Sequence, residues 1–464
     1  MAKGCARRNV IMDLFRRFYN MKMVVVDLDE GSARVLPLPE DVFTENIGGA
    51  MVNRILYEQY REEDPLVLGV GPLTGSFAPA SCLMVATFRC LGSVDLCHTP
   101  ILLRAGPEMK FSGVDFMVIK GVSSHLQALQ INNTKIEFLP AEDMRHMSVP
   151  EAMEAFHRKN TGSDRFIILT GPAADHNSSS AVISTSMGGS LDKWGMASWM
   201  ASRNLKAIIL NGTGGLPFSD NNLDIGKRLK AAITHERQSM KRGCFSILEK
   251  MGSTTKALRF LAKSITKHMA CYNCPFPCMS HVKIRTRGLH KKVDKKGFIL
   301  LDHSGFLALA KKRGRESLVL MRTCLHLGLD PVAVAPLLPS KGNIEKAIEI
   351  IERLAVVGES QNRVKETDDG NQSGRLLRGA ITRAHYRLFG NGIPPILPDV
   401  AGSETGSWER RVGMAMVLGV CPLMMLLFPR IETAELLRFV SVDAQDLEFL
   451  ERRLTASVDK LLSI

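Results

Sequence analysis

Aromatic residues are scarce in this sequence: they make up 6% of its 464 residues, with three tryptophans and five tyrosines. Binding nucleic acid by base stacking needs aromatic side chains interleaved with lysine and arginine. The basic residues here are not so interleaved, so the net charge of +13 points to an acidic protein partner rather than to DNA or RNA. Long apolar runs are scarce too. The one stretch near membrane-spanning length, residues 412–428, sits at the bottom of the range and contains Pro422, so it reads as a buried helix and predicts no membrane span. No secretory signal peptide is recognisable, which together with ten cysteines predicts a cytoplasmic protein whose thiols stay free or bind metal. At 45% hydrophobic and 23% charged, the composition excludes disorder and leaves room for two or three domains with real cores.

Against that background three cysteines stand close together, in Cys271-Tyr-Asn-Cys274-Pro-Phe-Pro-Cys278. The C-x2-C-x3-C spacing lets neighbouring thiolates converge on one corner of an iron–sulfur cubane, and Pro275 and Pro277 keep the loop from becoming helical. A zinc site would show paired C-x2-C knuckles or nearby histidines, and a radical-SAM loop has the reverse order, C-x3-C-x2-C. The pattern therefore predicts a 4Fe-4S cluster with a fourth ligand from elsewhere in the chain.

The periodicity divides the sequence. Residues 1–21, with Lys3, Arg7, Arg8, Arg16 and Arg17 among apolar residues, read as an extension ahead of a start at Met21. Residues 22–212 read as mostly sheet: a hairpin over Met23–Leu36, then β-like runs at 66–70, 83–88, 116–120, 126–131, 135–139, 166–170 and 207–210. One helix interrupts them, opened by Ser148 with Glu151 three residues on. After Gly212-Thr-Gly-Gly-Leu-Pro the period changes to about 3.6, which predicts helices over 213–335 and 336–464, with a polar surface loop at 363–375. The expected class is α+β, a β-rich N-terminal domain followed by two mainly helical ones.

Seven stretches, in order, resemble the aldehyde ferredoxin oxidoreductases, tungsten- or molybdenum-pterin enzymes that also bind a 4Fe-4S cluster. They are Gly71-Pro-Leu-Thr-Gly75, Met109-Lys-Phe-Ser-Gly113-Val-Asp115, Gly171-Pro-Ala173, Ser202-Arg-Asn-Leu-Lys-Ala207, the Cys271 motif, Leu327-Gly328-Leu329-Asp330 and Gly419-Val420-Cys421. The resemblance implies the family's three-domain plan. It also implies Cys421 as the fourth cluster ligand, where burial statistics alone read an ordinary core cysteine.

The family's pterin positions are altered. Stretches corresponding to its phosphate-binding glycines and Arg–Asn set read Ser81-Cys82-Leu83-Met84 and Thr99-Pro100-Ile101-Leu102-Leu103, and its two ring-gripping acids correspond to Leu325 and Met416. Backbone amides must approach a phosphate closely, and bulky side chains obstruct that. What the resemblance leaves for a pterin is Lys193, Gly195, Gly328, Asp330 and Gly419. The family's catalytic acid and histidine have no counterpart, and His303 and His326 carry no assignment.

Two functions follow as expectations. One is oxidation of aldehydes or related compounds, with electrons passing through the cluster to ferredoxin. The other is a non-catalytic paralogue without pterin, serving as an electron-transfer or structural subunit, as a homodimer or within a redox complex. Lys283 to Lys296 holds seven positive charges against one negative beside the cysteine motif, a surface suited to an acidic electron carrier.

Overall fold

The computed structural model describes residues 13–90, 96–159, 165–186, 195–216, 220–238, 244–250, 253–284, 298–356, 407–428, 430–441 and 443–462. Lys193, the 363–375 loop and the lysines of 291–296 lie outside these residues.

Two sheets make up the first part of the chain. The first is built from β1 (Lys22–Asp27), β2 (Ser32–Pro37), β3 (Leu66–Val70), β4 (Met84–Arg89), β5 (Leu96–Ile101) and β6 (Phe116–Lys120), in the order β2-β1-β6-β3-β4-β5. The second holds β7 (Gln127–Asn132), β8 (Lys135–Pro140), β9 (Phe166–Thr170), β10 (Ile183–Thr185) and β11 (Leu205–Asn211), in the order β10-β9-β11-β7-β8. Each contains one parallel pair, β1 with β6 and β7 with β11, among antiparallel neighbours. The expected hairpin is present, with Asp27 opposite Ser32. Strands β3, β9 and β11 are buried along their whole length, which is why they read as unbroken apolar runs instead of alternating ones.

Helices dominate the chain after 212, as expected, but the periodicity missed elements on both sides of that point. The first part holds further helices besides Val149–Lys159, notably Gly49–Gln59, Ala105–Phe111 and Met196–Ser202. The second part contains a small antiparallel sheet, β12 (Ile265–Met269), β13 (Met279–Lys283) and β14 (Phe298–Leu300), flanking the Cys271 motif. Ser148 does open its helix: Glu151 accepts from both the Ser148 N–H (2.9 Å) and its hydroxyl (2.6 Å).

Leu14, Phe15, Phe18 and Tyr19 are core rather than part of a mere extension. Phe15 is fully buried and stacks on Phe43 with ring centroids 4.6 Å apart, and the Tyr19 hydroxyl lies 3.1 Å from Ile47 O and 3.2 Å from Val70 O. A second departure concerns the thiols. Cys90 and Cys97 form a disulfide across the β4–β5 pair, so these two are not free as expected. Among the described residues no helix is long and apolar enough to cross a membrane. The apolar stretch at 412–428 is instead two helices, Ser407–Leu418 and Pro422–Leu427, parted at Gly419.

One packing device occurs twice and sets the position of everything at the centre. Strand β3 is followed by Gly71-Pro72 and β9 by Gly171-Pro172, and each glycine lies against the end of a Leu-Gly helix. A side chain on Gly71 would collide with the backbone of Leu418 and Gly419; one on Gly171 would come within 2.9 Å of the backbone of Leu327 and Gly328. Both helix-end glycines have positive φ, +71° at Gly328 and +84° at Gly419, a left-handed C-terminal turn that glycine adopts without penalty. The backbone pairing repeats as well. Leu83 N–H donates to Gly419 O (3.2 Å) and Cys421 N–H to Ala80 O (3.0 Å) in one half. In the other, Val182 N–H donates to Gly328 O (2.8 Å) and Asp330 N–H to Ser180 O (2.9 Å). Cys421 and Asp330 therefore occupy equivalent places.

The buried polar groups of the first sheet yield a pH prediction. His98 on β5 is 5% exposed and bonds Thr87 Oγ1 at 2.8 Å; burial, with Arg54 adding to it, pushes its pKa down to about 3. Between the ordinary histidine value and about 3, the unfolded chain binds a proton that the folded chain refuses. Stability contributed by His98 is thus full above about pH 6.5 and lost as pH falls, by about 1.4 kcal/mol per pH unit. Denaturation midpoints measured from pH 7 to pH 4 should fall less steeply for His98→Gln than for the parent. Equal slopes would contradict this.

Candidate metal centre

Three distant segments meet at the cysteine motif, and backbone hydrogen bonds tie them together. Ala80, with φ of +56°, is the junction: its N–H donates to Asn273 O (3.1 Å) inside the motif, while its carbonyl accepts from Cys421 N–H. Asn273, itself at φ +53°, donates from Nδ2 to Ala78 O (2.8 Å) and Ser76 O (3.3 Å). Asparagine tolerates this left-handed geometry and supplies the side-chain amide that pins the turn. Tyr272 N–H donates to Leu103 O (2.9 Å) and its hydroxyl to Gly75 O (3.1 Å). Two further motif carbonyls accept bonds from side chains. Arg237 Nη1 donates to Pro275 O at 2.6 Å and the His303 ring to Cys278 O at 3.1 Å.

The motif's three cysteines and Cys421 are thereby brought within electrostatic range of one another. Cys271, Cys278 and Cys421 are buried and Cys274 half-buried. Burial, followed by the neighbouring Cys271, pushes the Cys274 thiol up to about 12, and the same two causes hold Cys278 and Cys421 above the ordinary thiol range. Cys271 moves the other way, first through the influence of the neighbouring Cys82 thiol. A pocket that keeps several buried thiols from ionising together disfavours accumulated negative charge, and cationic iron removes that penalty. The chemistry of the donor set therefore fits a cluster. The sulfurs are nevertheless not preassembled: among the described residues no three His, Cys, Asp or Glu side chains already form a metal-coordinating group.

Cys82 is the residue that spacing did not reveal. It lies far from the motif in sequence and enters the pocket only because the turn after β3 folds onto Asn273 and Cys421.

The residues do not fit a pterin equally well. Leu83, Leu103 and Met416 are fully buried, Leu325 is 5% exposed, and all four belong to the apolar core that also encloses the cysteines. Leu103 keeps φ at +69°, a conformation costly for leucine and free for glycine. Its side chain is buried in the apolar core. The other expected pterin residues have structural roles. Gly195 (φ +104°) precedes the helix Met196–Ser202, Gly328 and Gly419 make the close backbone contacts described above, and Asp330 caps Pro331–Val334 through a 2.9 Å bond from Val332 N–H.

This architecture of paired sheets locked to helix ends recurs in a solved structure. The chain superposes with a TM-score of 0.71 on the active-site complex BamBC of benzoyl coenzyme A reductase, over 96% of this chain and 89% of that one, at 15% identity. Residues 23–212 match the family model "Aldehyde ferredoxin oxidoreductase, N-terminal domain". Residues 23–212 are thus similar to the N-terminal domain of the aldehyde ferredoxin oxidoreductases. The chain is 28% identical over 210 residues to a tungsten-containing aldehyde ferredoxin oxidoreductase of Pyrococcus furiosus, covering 43% of this chain and 34% of that protein. A Thermococcus kodakarensis enzyme of the same name is 23% identical over 372 residues, covering 71% of this chain and 58% of that protein. The aliphatic sulfonate oxidoreductase WOR-like subunit of P. furiosus is 26% identical over 222 residues, 43% of this chain and 35% of its own length. The matches thus span between a third and somewhat over half of these curated relatives.

Proposed function

We propose that this chain is an iron–sulfur redox protein that binds one 4Fe-4S cluster through Cys271, Cys274, Cys278 and Cys421. It exchanges electrons singly with an acidic carrier such as ferredoxin, as an electron-transfer or structural subunit. The observation that carries the reading is the junction at Ala80, which joins the motif loop and Cys421 through consecutive backbone bonds. A bound cluster would supply one-electron chemistry. The protein's part is to hold the thiolates and keep water from them, with half-buried Cys274 nearest the exterior among the four. Anaerobically purified protein reduced with dithionite should give the paramagnetic signal of a reduced 4Fe-4S centre. Absence of that signal in iron-loaded protein would defeat the proposal.

Oxidation of an aldehyde, the reaction for which the tungsten-containing relatives are named, is the second reading. The match to the family's N-terminal domain over residues 23–212 favours it, and the filled core at Leu83, Leu103, Leu325 and Met416 opposes it. Free thiols at the pocket suit the cytoplasm, whereas the Cys90–Cys97 disulfide suits an oxidising compartment.

The partner surface extends beyond the basic stretch seen in sequence. A groove of about 1000 Å³ is lined by Lys256, Arg259, Lys263 and Arg315. It adjoins the root of that stretch, where Lys283 N–H donates to Ser264 O at 2.8 Å. Such a field steers an acidic carrier, and the steering weakens as salt shortens the Debye length. Electron exchange with an acidic ferredoxin should slow steeply between low and high ionic strength. Lys256→Gln combined with Lys263→Gln should lower the low-salt rate several-fold and flatten the salt dependence. A salt-independent parent rate would remove this face from docking.

A further inference from the structure

The helix Asp220–Arg237 and the chain from Arg430 to Arg438 enclose a second cavity, of about 430 Å³. Its floor is apolar: Ile225, Leu229, Ile233 and Ile431 line it, each no more than 6% exposed. Its rim is charged. Three exposed arginines, Arg228, Arg430 and Arg438, stand there with two glutamates, Glu236 and Glu435. Arg430 Nε lies 3.3 Å from Glu236 Oε1, a pairing internal to the rim. With histidine counted as neutral, that leaves Arg228 and Arg438 against Glu435, one positive charge in excess. Both walls are anchored beside the cysteine motif. On one, Arg237 donates to Pro275 O at 2.6 Å, and Gly226 packs so closely that an added side chain would come within 2.9 Å of Phe77 O. The other follows Phe428, whose ring meets Phe276 edge-on with centroids 5.6 Å apart.

We infer that this cavity binds a small amphipathic monocarboxylate, an acid with one anionic head and a hydrocarbon tail of medium length. The inference stands apart from the cluster reading, because no cluster ligand takes part in it. Three features select the ligand class. The volume lies in the range of small-molecule sites, and an apolar floor under a charged rim suits a molecule that is apolar at one end and ionised at the other. Arg228 and Arg438 offer guanidinium forks, which match the two oxygens of a carboxylate. The excess of one positive charge calls for one negative charge. A phosphate dianion would bring a second charge toward Glu435 and leave the apolar floor unused. Ion pairs at so exposed a rim contribute little. The tail therefore supplies most of the affinity, about a fourfold gain for each methylene buried.

The test is calorimetric titration of the full chain, purified anaerobically, with octanoate, acetate and inorganic phosphate as probes. Octanoate should bind one-to-one and at least about tenfold more tightly than acetate, since burial of two methylenes already gives that gain. Phosphate should not displace it. Ala232→Trp, at an exposed position of the lining, should abolish octanoate binding by filling the cavity. Arg228→Gln combined with Arg438→Gln should weaken it several-fold. These arginines are exposed, so this variant should melt with the parent and keeps the test decisive if the tryptophan variant misfolds. Octanoate bound no more tightly than acetate overturns the inference, and so does phosphate that competes with it. Parent affinity in either variant, correctly folded, overturns it too, by placing the acid elsewhere. Iron counted on the same samples reports on the cluster reading separately, so failure of one does not pass for failure of the other.

Discussion

Cys421→Ala should lower bound iron from about four per chain to about three or fewer, because one iron of the cubane loses its thiolate. The sequence around Cys421 makes this a demanding prediction, because an apolar cysteine between two helices is ordinary core. What distinguishes it is position. Its N–H donates to Ala80 O, Ala80 N–H donates to the motif's Asn273, and its sulfur senses the charge of Cys271 and Cys274. Removing the thiol leaves three donors on a loop whose prolines allow little adjustment. Cys324 provides the comparison. It is equally buried, in the helix Ser317–Leu327, and its thiol is likewise pushed up by burial, but its charged neighbours are Asp330 and Asp302. Cys324→Ala should keep the iron while losing some stability. Iron lost equally in both variants would show that core damage, and not ligation, explains the effect.

Gly419→Ala should destabilise the fold by about 4 kcal/mol or more, placing it in the tail of single-substitution effects. Two costs combine. The backbone there is at φ +84°, and the added methyl would collide with Thr74 Oγ1 and approach Gly71 N and Cα to within 3 Å. Thr74 cannot easily yield, since its hydroxyl bonds Leu83 O (3.0 Å) and Gly419 O (3.3 Å) and accepts from Gly71 N–H (3.1 Å). Relief would need the helix end to move away from the β3 turn, carrying Cys421 with it, so iron content should fall along with the melting temperature. Gly215→Ala, at an exposed site with nothing within 4 Å, should change stability by no more than about 0.5 kcal/mol. Similar losses at both positions would remove the close-packing argument.

Much of the first part was legible because burial leaves a plain record in fully apolar strands such as β3 and β9. Strand β5 was not, since its Leu-Cys-His-Thr-Pro-Ile carries Pro100 and a histidine. It lies at the sheet's edge, where a missing N–H is tolerated. Strand β12 was hidden by its polar Thr-Lys-His centre and a register shift against β13. The helix Gly49–Gln59 begins in a Gly-Gly pair that reads as a loop, and its Asn53 turns inward to bond Val67 O, Val85 O and Thr87 Oγ1. At the site, three cysteines could be read from spacing and Cys421 through family position. Cys82 could not, because its approach to Cys271 is made by a tertiary turn. The aromatics of residues 13–19 were misread for the opposite reason: flanking arginines suggested a solvated extension, while Phe15 and Tyr19 pack beneath the sheet.

The central claim is a cluster without a pterin, and quantitative metal, sulfide and pterin analysis of the anaerobically purified chain tests it most directly. The account predicts about four irons and four sulfides per chain, with tungsten and molybdenum far below stoichiometric and no extractable pterin. Stoichiometric tungsten or molybdenum with pterin would contradict it and restore aldehyde oxidation as the leading function; protein that takes up no iron under reducing conditions would contradict it altogether.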